Sequence, residues 1–455
     1  MQRIPACWHA VNDGKLKQMA SEASSDPTDV GPVVVGEFDI HVKGSGVEES
    51  TPAKFFFDYQ QSVPVWARIE PQSGSWSVDG SILTVRAPGR LEAFEGYMAT
   101  LGLHPLEETA QLVGRLNPTT VPIESAPARD LAQITLALLD SPISKDFDVF
   151  GPRRDNVILR CNGFEVTITP PSIAHEQVSR RLGSSPHRLT ETVSITRPGE
   201  LFKSREARRT LDILHDALSF AAGRWSGMTL VEGRDASDQQ VWSRWGTTRM
   251  STAPTGASWF DPEHPEWLES LCDSFRRLQS NEETWEAVRT ALYWYVRSNS
   301  LNSGVDSSLI LSQCALELLS WLVIVRLKRA LSEEGYGQLS NAAEKLRLTL
   351  TLLDIPRHVP AGLKNLLEFC SKMKDSKMKD LPDVVVQARN YLVHPTQSRS
   401  GRRRATREWP WHELWIAAQW LLELVLLSLL GYEGNYRNRT RLTDLRPIER
   451  VPWAR

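Results

Sequence analysis

Hydrophobic and polar positions follow two different patterns along the chain, and the pattern changes near residue 260. Before that point, apolar and β-branched residues form short runs separated by Gly, Pro, Ser and Asn, which is typical of strands joined by turns. The sequences MTLVEG and QQVWSRWG, on either side of RDASD, predict a pair of strands. The other predicted strands lie within 30–44, 54–60, 82–88, 156–171 and 191–199.

Three helices are predicted within this β-rich part. Residues 91–102 and 128–140 are rich in Leu and Ala, which favour a helix, and residues 204–223 have a clear helical period. The N-terminal part is therefore predicted to be mixed, with more strand than helix.

From Asp261 onward, apolar residues recur at helical spacing. Asp261 is predicted to cap a first helix, Ser280 a second and Asp306 a third. The third helix, at 307–331, is apolar on nearly every face, which predicts a central position in a bundle. Further helices are predicted at 340–354, 361–373, 381–394 and 411–430.

The fold class that these patterns predict is α+β, with a β-rich mixed region followed by an all-α bundle. A chain of 455 residues fits two or three domains. We expect a β-rich domain at 1–260, divisible into two subdomains near residue 150, a helical domain at 261–440, and a basic tail at 441–455. The boundary is placed between residues 255 and 280.

Composition adds few constraints. The formal net charge is −2, so any contact with nucleic acid must come from a local basic patch. The N-terminus has no long apolar segment, which predicts no signal peptide. The most apolar run, 416–430, is short for a membrane span and contains Gln419 and Glu423, which favours a core helix. We expect a cytoplasmic protein without a membrane anchor.

Several common kinds of site are missing from the sequence. It has no phosphate-binding loop, no dinucleotide-binding glycine motif, no zinc-protease helix and no nucleophile elbow. The five cysteines are widely spaced and include no CxxC pair. We therefore expect neither a metal nor a cofactor.

The segment LPDVVVQARNYLVHPTQ, at 381–397, contains the residues with the most suitable chemistry. Asn390 and His394 are one helical turn apart on the same face, with Arg389 beside them, and Pro395 ends the helix at or just before His394. A histidine beside an arginine suits phosphodiester cleavage, since the histidine moves a proton while the arginine stabilises charge on the phosphate. The other interpretation is an exposed histidine at a helix end, with Arg389 extended along the bundle.

A basic run follows this segment directly. Arginines at five nearby positions would contact a phosphate backbone, and the alternative is a solvated loop. These are Arg399, Arg402, Arg403, Arg404 and Arg407.

The C-terminal part resembles the HEPN superfamily, most closely its Apea-like branch. The resemblance covers roughly 280–440 and rests on the CALELL segment at 314–319, the RNYLVHP segment at 389–395 and the LLGYEGNYRNR segment at 429–439. It implies a helical bundle and a metal-independent endoribonuclease, with Arg389, Asn390 and His394 as catalytic residues. It also implies a homodimer or a higher even-numbered assembly, in which two motifs form one cleft that binds RNA.

The resemblance further implies a bacterial anti-phage effector, of the abortive-infection kind, that cuts host or phage RNA. The N-terminal region would then sense a phage-derived trigger or restrain the nuclease. The alternative function is a non-catalytic module that binds nucleotides or RNA.

Glu317 lies inside an apolar helix and has two interpretations. As a buried acid it needs a partner, for which Arg389 is a candidate, and the resemblance implies a supporting role near the motif. Alternatively, Gln313, Glu317 and Ser320 form the single polar stripe of this helix.

Overall fold

The computed structural model divides the chain into two compact units. The first comprises Met1–Asp212 and Ser226–Thr252, and the second comprises Ile213–Trp225 and Ala253–Arg455. The second unit thus begins close to the expected boundary and also includes a short segment from the N-terminal part. The residues that the structure describes are 33–44, 47–57, 65–69, 82–86, 94–103, 112–118, 123–124, 130–139, 141–142, 155–170, 189–245, 249–251, 257–300, 304–372, 380–393, 409–444 and 447–454.

The first unit begins with a closed antiparallel barrel. Its strand order is β1-β2-β3-β6-β5-β4, so every strand has two neighbours and no edge is left unpaired. The strands are β1 (Val33–Gly44), β2 (Val47–Phe57), β3 (Val65–Ile69), β4 (Ile82–Arg86), β5 (Phe94–Leu103) and β6 (Leu112–Pro118).

A seven-stranded antiparallel sheet completes the first unit. Its order is β7-β13-β12-β8-β11-β10-β9, and the predicted strand pair after residue 226 is confirmed as β12 and β13. Alternate residues of β9 and β10 are buried, as in a sheet with one face on a core. The strands are β7 (Ile123–Glu124), β8 (Gln133–Leu139), β9 (Val157–Cys161), β10 (Phe164–Thr169), β11 (Leu189–Thr196), β12 (Gly227–Arg234) and β13 (Gln240–Trp245).

Two of the predicted helices are wrong, because 91–102 and 128–140 contain strands β5 and β8. Strand β8 lies between β12 and β11, and its Ile134, Leu136 and Leu138 are all buried, as is Ala137. A strand buried on both faces has a continuous apolar run instead of an alternating one, so its sequence does not distinguish it from a helix. In β5, pairing with both β4 and β6 outweighs the helical propensity of its Leu, Ala and Glu residues.

Helices form the second unit, and the coarse α+β prediction is confirmed. The predicted helix at 204–223 is observed as α1 (Ser204–Ala222), and its last part belongs to this unit. The other helices are α2 (Trp267–Leu278), α3 (Glu282–Ser298), α4 (Val305–Trp321), α5 (Glu333–Gln338), α6 (Ala342–Leu352), α7 (Lys364–Lys372), α8 (Leu381–Val393) and α9 (Trp411–Leu429).

The central position predicted for the apolar helix at 307–331 is confirmed. Helix α4 packs against α3, α6, α8 and α9, and it continues as a π-helical turn over Leu322–Leu327. Two helical stretches are long and apolar enough to cross a membrane, as judged by length and composition alone. They are α4 together with its π-helical turn, Val305–Leu327, and α9, Trp411–Leu429. Within the unit, 67% of the first apolar stretch and 83% of the second are buried, which is also what core helices show.

The three predicted helix caps are wrong in detail. Helix α2 starts six residues after Asp261, whose carboxylate instead accepts a hydrogen bond from the backbone N–H of Glu263 at 2.9 Å. The cap of α3 is Asn281 and not Ser280, because the Asn281 side chain accepts from the Thr284 N–H at 3.0 Å. Helix α4 starts after Gly304, so Asp306 lies in its first turn.

The C-terminal residues form part of the second unit and are not a separate tail. Strands β14 (Asn435–Arg437) and β15 (Ile448–Arg450) pair with each other, and Val451 is buried. The indole N–H of Trp453 donates to the Tyr432 carbonyl at 2.7 Å. The segment predicted as a basic tail therefore contributes to the fold.

A buried ion pair joins this C-terminal segment to α9. Arg439 Nε donates to Glu423 Oε2 at 2.9 Å, and both side chains are almost fully buried. The Glu423 carboxylate also accepts from the hydroxyl of Tyr295 at 2.7 Å and from the backbone N–H of Trp259 at 3.1 Å. Arg439 donates in turn to the Asn299 side chain at 3.1 Å. This network connects α3, α9 and the segment after α9, so Arg439 is a structural residue.

Candidate functional site

Helix α8 carries the predicted Arg-Asn motif, and acidic residues fix its start. The carboxylate of Asp380 caps the helix by accepting from the Asp383 N–H at 3.2 Å. Arg347, from α6, donates from Nε to Asp380 at 2.7 Å and lies 3.0 Å from the Asp383 carboxylate. These ion pairs hold the first turn of α8 against α6, so the other end of the helix has a defined position.

Apolar residues at helical spacing form the core stripe of α8. Val385 and Ala388 are buried, and Leu392 is half-buried. Asn390 is exposed, and the last helical residue, Val393, is 40% exposed. The structure describes α8 as far as Val393, so the predicted end of the helix at or just before His394 stays a prediction.

Arg389 lies in the last turn of α8 between the core stripe and the exposed face. Its side chain is half-buried, and one terminal nitrogen donates to the Asn390 side chain at 3.1 Å. Its Nε is buried and has no hydrogen-bond partner among the described residues. A bound anion could accept a hydrogen bond from this buried N–H of the guanidinium group.

Glu317 does not form an ion pair with Arg389 in the described part of the chain. Its carboxylate accepts a long hydrogen bond from Gln313 Nε2 at 3.4 Å, which fits the interpretation of a polar stripe on α4. The Oε1 of Gln313 and the hydroxyl of Ser320 are buried without hydrogen-bond partners among the residues described. The polar stripe of α4 therefore contains two buried atoms without hydrogen-bond partners among the described residues.

The pKa of the Cys314 thiol depends on the charges of both Glu317 and Arg389. Burial raises the pKa of the Cys314 thiol, the negative charge of Glu317 raises it further, and the positive charge of Arg389 lowers it. Burial and Glu317 together also raise the pKa of Tyr336 to about 12. Glu317 and Arg389 thus act on one thiol without contacting each other directly.

This arrangement predicts opposite effects of two substitutions on the alkylation of Cys314. Since the thiolate is the reactive form, Glu317→Gln should speed reaction with iodoacetamide at neutral pH by about 2- to 10-fold, and Arg389→Ala should slow it. The rates would be followed by mass spectrometry in a Cys7→Ser, Cys370→Ser background. Glu286→Gln, at an exposed position of α3, is the control and should leave the rate unchanged. Equal rates in all variants would contradict the placement of both charges beside the thiol.

The remaining predicted site residues lie outside the described residues. They are His394 and the arginines Arg399, Arg402, Arg403, Arg404 and Arg407. Their roles stay predictions from the sequence. Among the described residues, no group of three or more His, Cys, Asp and Glu side chains is placed to hold a metal ion. Independence from a metal also stays a prediction.

A cluster of aromatic residues next to the motif was not predicted from the sequence. Tyr391 lies beside Trp409 and Trp411, with ring centroids 5.8 Å and 6.2 Å away. The Trp409 ring is also 4.8 Å from that of Phe369. The sequence does contain an indication of this cluster, because Trp409-Pro410-Trp411 comes shortly after the arginine run.

Two parts of the chain match family models. Residues 281–449 match the C-terminal domain of YopA, and residues 144–256 match its central domain. The first match includes all of α3 to α9, the Arg-Asn motif, the arginine run and the buried Arg439–Glu423 pair. The chain is therefore similar to YopA in the part of the sheet that contains β9 to β13 and in its helical part.

A curated relative of the chain is also named YopA. The chain is 30% identical over 260 residues to the SPbeta prophage-derived uncharacterized protein YopA of Bacillus subtilis (strain 168). The match covers 56% of this chain and 55% of that protein, so the chain spans about half the length of the relative. No solved structure matches. The names of these matches state no activity, and none of them refers to the HEPN superfamily.

Proposed function

We propose that this protein is a metal-independent endoribonuclease whose second unit is a HEPN-type bundle. Arg389, Asn390 and His394 would form the catalytic group, and the five arginines of the following run would bind the RNA backbone. We place its action in the bacterial cytoplasm. The single observation that carries the proposal is the Nε of Arg389, which lies beside exposed Asn390 and is buried without a hydrogen-bond partner among the described residues.

The proposed chemistry is transesterification within the RNA. His394 accepts the proton of a 2′-hydroxyl, whose oxygen attacks the adjacent phosphorus. The bond from phosphorus to the 5′-oxygen breaks, and an acid protonates the leaving oxygen. Arg389 donates to the phosphate oxygens and stabilises the added charge of the transition state. The products are a 2′,3′-cyclic phosphate and a 5′-hydroxyl.

The last turn of α8 favours this use of histidine. The C-terminal end of a helix has partial negative charge, which stabilises a neighbouring imidazolium. His394 directly follows Val393, the last residue of α8 that the structure describes. Such a histidine can supply a proton in one step and accept it in the other.

We further propose that the protein acts in conflict between bacteria and phages, as an abortive-infection effector. The prophage origin of the Bacillus subtilis relative supports this setting for that protein. The barrel and sheet of the first unit would respond to a phage-derived trigger or restrain the nuclease. No described residue of that unit is assigned a catalytic role here.

Cleavage in the presence of a chelator tests the proposed function. Purified full-length protein, incubated with total RNA and transfer RNA in EDTA, is expected to release fragments. Fragments that appear only after magnesium or manganese is added would contradict the proposal. RNA binding without any cleavage would instead identify the alternative, a non-catalytic RNA-binding module.

A dimer follows from the need for two catalytic groups. One motif supplies one histidine, whereas the acid and base roles are most easily filled by two, and a twofold axis supplies the second copy. Val393 is an exposed apolar residue at the end of α8 and suits such an interface. We therefore expect light scattering of the full chain to show a dimer or a higher even-numbered assembly.

The substitution Val393→Asp is expected to produce monomers and to reduce cleavage at least about 10-fold. Leu442→Asp is the matched control, since Leu442 is also apolar and exposed in the second unit but lies outside α8. A monomeric wild-type protein that cleaves RNA at full rate would contradict the composite site.

A further inference from the structure

The aromatic cluster beside the motif has one buried member and three partly exposed ones. Phe369 is 8% exposed and belongs to the core. Tyr391, Trp409 and Trp411 are each partly exposed. The rings of the two tryptophans are stacked, with centroids 5.6 Å apart and planes inclined by 30°. The cluster therefore has a buried base and an aromatic surface.

The backbone between the two tryptophans places their rings side by side. Pro410 has φ −78° and ψ 67°, which is the conformation of an inverse γ-turn. The Trp411 N–H accordingly donates to the Trp409 carbonyl at 2.9 Å. Proline fixes φ near this value, which favours the turn.

The start of α9 is attached to α7, which adds to the rigidity of this arrangement. The Glu413 carboxylate accepts from the backbone N–H of Leu366 at 2.7 Å and from the Asn365 side chain at 2.7 Å. It thereby caps the first turn of α7, the helix that carries Phe369. The aromatic surface is thus held between two connected helices.

The sequence that joins Tyr391 to Trp409 indicates the kind of ligand. Tyr391 directly follows Arg389 and Asn390, and the sequence from Tyr391 to Trp409 contains His394 and five arginines but one glutamate. A polyanion would be attracted to this region. A polyanion that also has flat, unpaired rings matches both the charge and the aromatic surface.

We propose that Tyr391, Trp409 and Trp411 form a stacking surface for unpaired bases of single-stranded RNA. This inference rests on the proposed function and specifies its substrate as single-stranded. Bases in a duplex are stacked on each other and cannot lie on protein rings, whereas bases in loops and single strands can. The surface would hold the nucleotides next to the scissile phosphate, and these three residues position the substrate.

Binding to two RNA probes tests the proposal in the full-length chain. His394→Ala is used as the background so that the RNA stays intact. Fluorescence anisotropy would be measured with a labelled 12-nucleotide oligouridylate and with a labelled 12-base-pair duplex. Trp411→Ala and Trp409→Ala are each expected to weaken oligouridylate binding about 10-fold or more, and duplex binding less than about 2-fold. Trp411→Phe should retain most of the affinity, because phenylalanine keeps an aromatic face.

Trp411→Leu separates stacking from packing, since leucine fills apolar space without an aromatic face. A folded Trp411→Leu protein, as judged by its melting temperature, should still lose single-strand affinity. The control is Tyr293→Ala, at an exposed aromatic residue of α3, which should bind both probes as the background does. Unchanged oligouridylate binding in Trp411→Leu, or equal losses for both probes, would overturn the proposal. Wild-type protein that binds oligouridylate through these residues but cuts no RNA would refute the nuclease and leave the surface intact.

Discussion

Replacing His394 with alanine is expected to reduce RNA cleavage by at least about 100-fold, and Arg389→Ala should have a similar effect. Loss of a positioned acid–base group or of a group that stabilises transition-state charge has this magnitude. Arg389→Lys should recover little activity, because lysine keeps the charge but lacks the paired donors of the guanidinium group. Initial rates with a labelled transfer RNA would measure these effects.

Stability measurements distinguish this catalytic role from a structural one. Neither residue belongs to the buried Val385 and Ala388 stripe, so His394→Ala should lower the free energy of unfolding by no more than about 1 kcal/mol. A variant that melts far below the wild type would assign the residue to the fold. Full cleavage by either alanine variant would remove that residue from the mechanism.

The largest expected effect on stability comes from Arg439. Removing one partner of a buried ion pair leaves an uncompensated charge, which costs about 3–5 kcal/mol. Arg439→Met should therefore lower the free energy of unfolding by this amount, because Glu423 is fully buried and would lose its charged partner. Urea unfolding, followed by tryptophan fluorescence, would measure the change.

Two further variants make this prediction specific. Arg441→Ala removes exposed pairs with Asp444, at 2.7 Å, and with Glu449, at 3.5 Å, and should cost no more than about 1 kcal/mol. Adding Glu423→Leu to Arg439→Met removes both buried charges and should restore part of the lost stability. Wild-type stability in Arg439→Met would contradict the role assigned to this network.

The sequence predicted the helical unit better than the β-rich one. Helical periodicity identified α4 as central, since an apolar surface on every face requires neighbours all round. The helix predicted at 128–140 from its Leu and Ala residues was wrong, because β8 lies between two strands and has an apolar run without alternation. Closure of the barrel could not be predicted, because it depends on pairings between strands distant in sequence, such as β1 with β4.

The candidate site was predictable where its residues share one helix. The positions of Arg389 and Asn390 on neighbouring faces of α8 follow from the helical period. The partner of the Glu317 carboxylate, Gln313, lies one turn away on the same helix, as the polar-stripe interpretation had it. The absence of an ion pair between Glu317 and Arg389 could not be predicted, because it depends on how α4 and α8 pack. The same limit applies to Tyr391 and Trp409, which only tertiary structure brings together. The buried role of Arg439 also depends on a residue of another element, Glu423.

The chemistry of the RNA ends tests the central claim most directly. Wild-type protein and His394→Ala would be incubated in EDTA with the same RNA, and the fragment ends would be identified by mass spectrometry. We predict 2′,3′-cyclic phosphate and 5′-hydroxyl ends from the wild type and no fragments above background from His394→Ala. Ends with a 5′-phosphate, or the same fragments from both proteins, would contradict cleavage by the Arg389, Asn390 and His394 group.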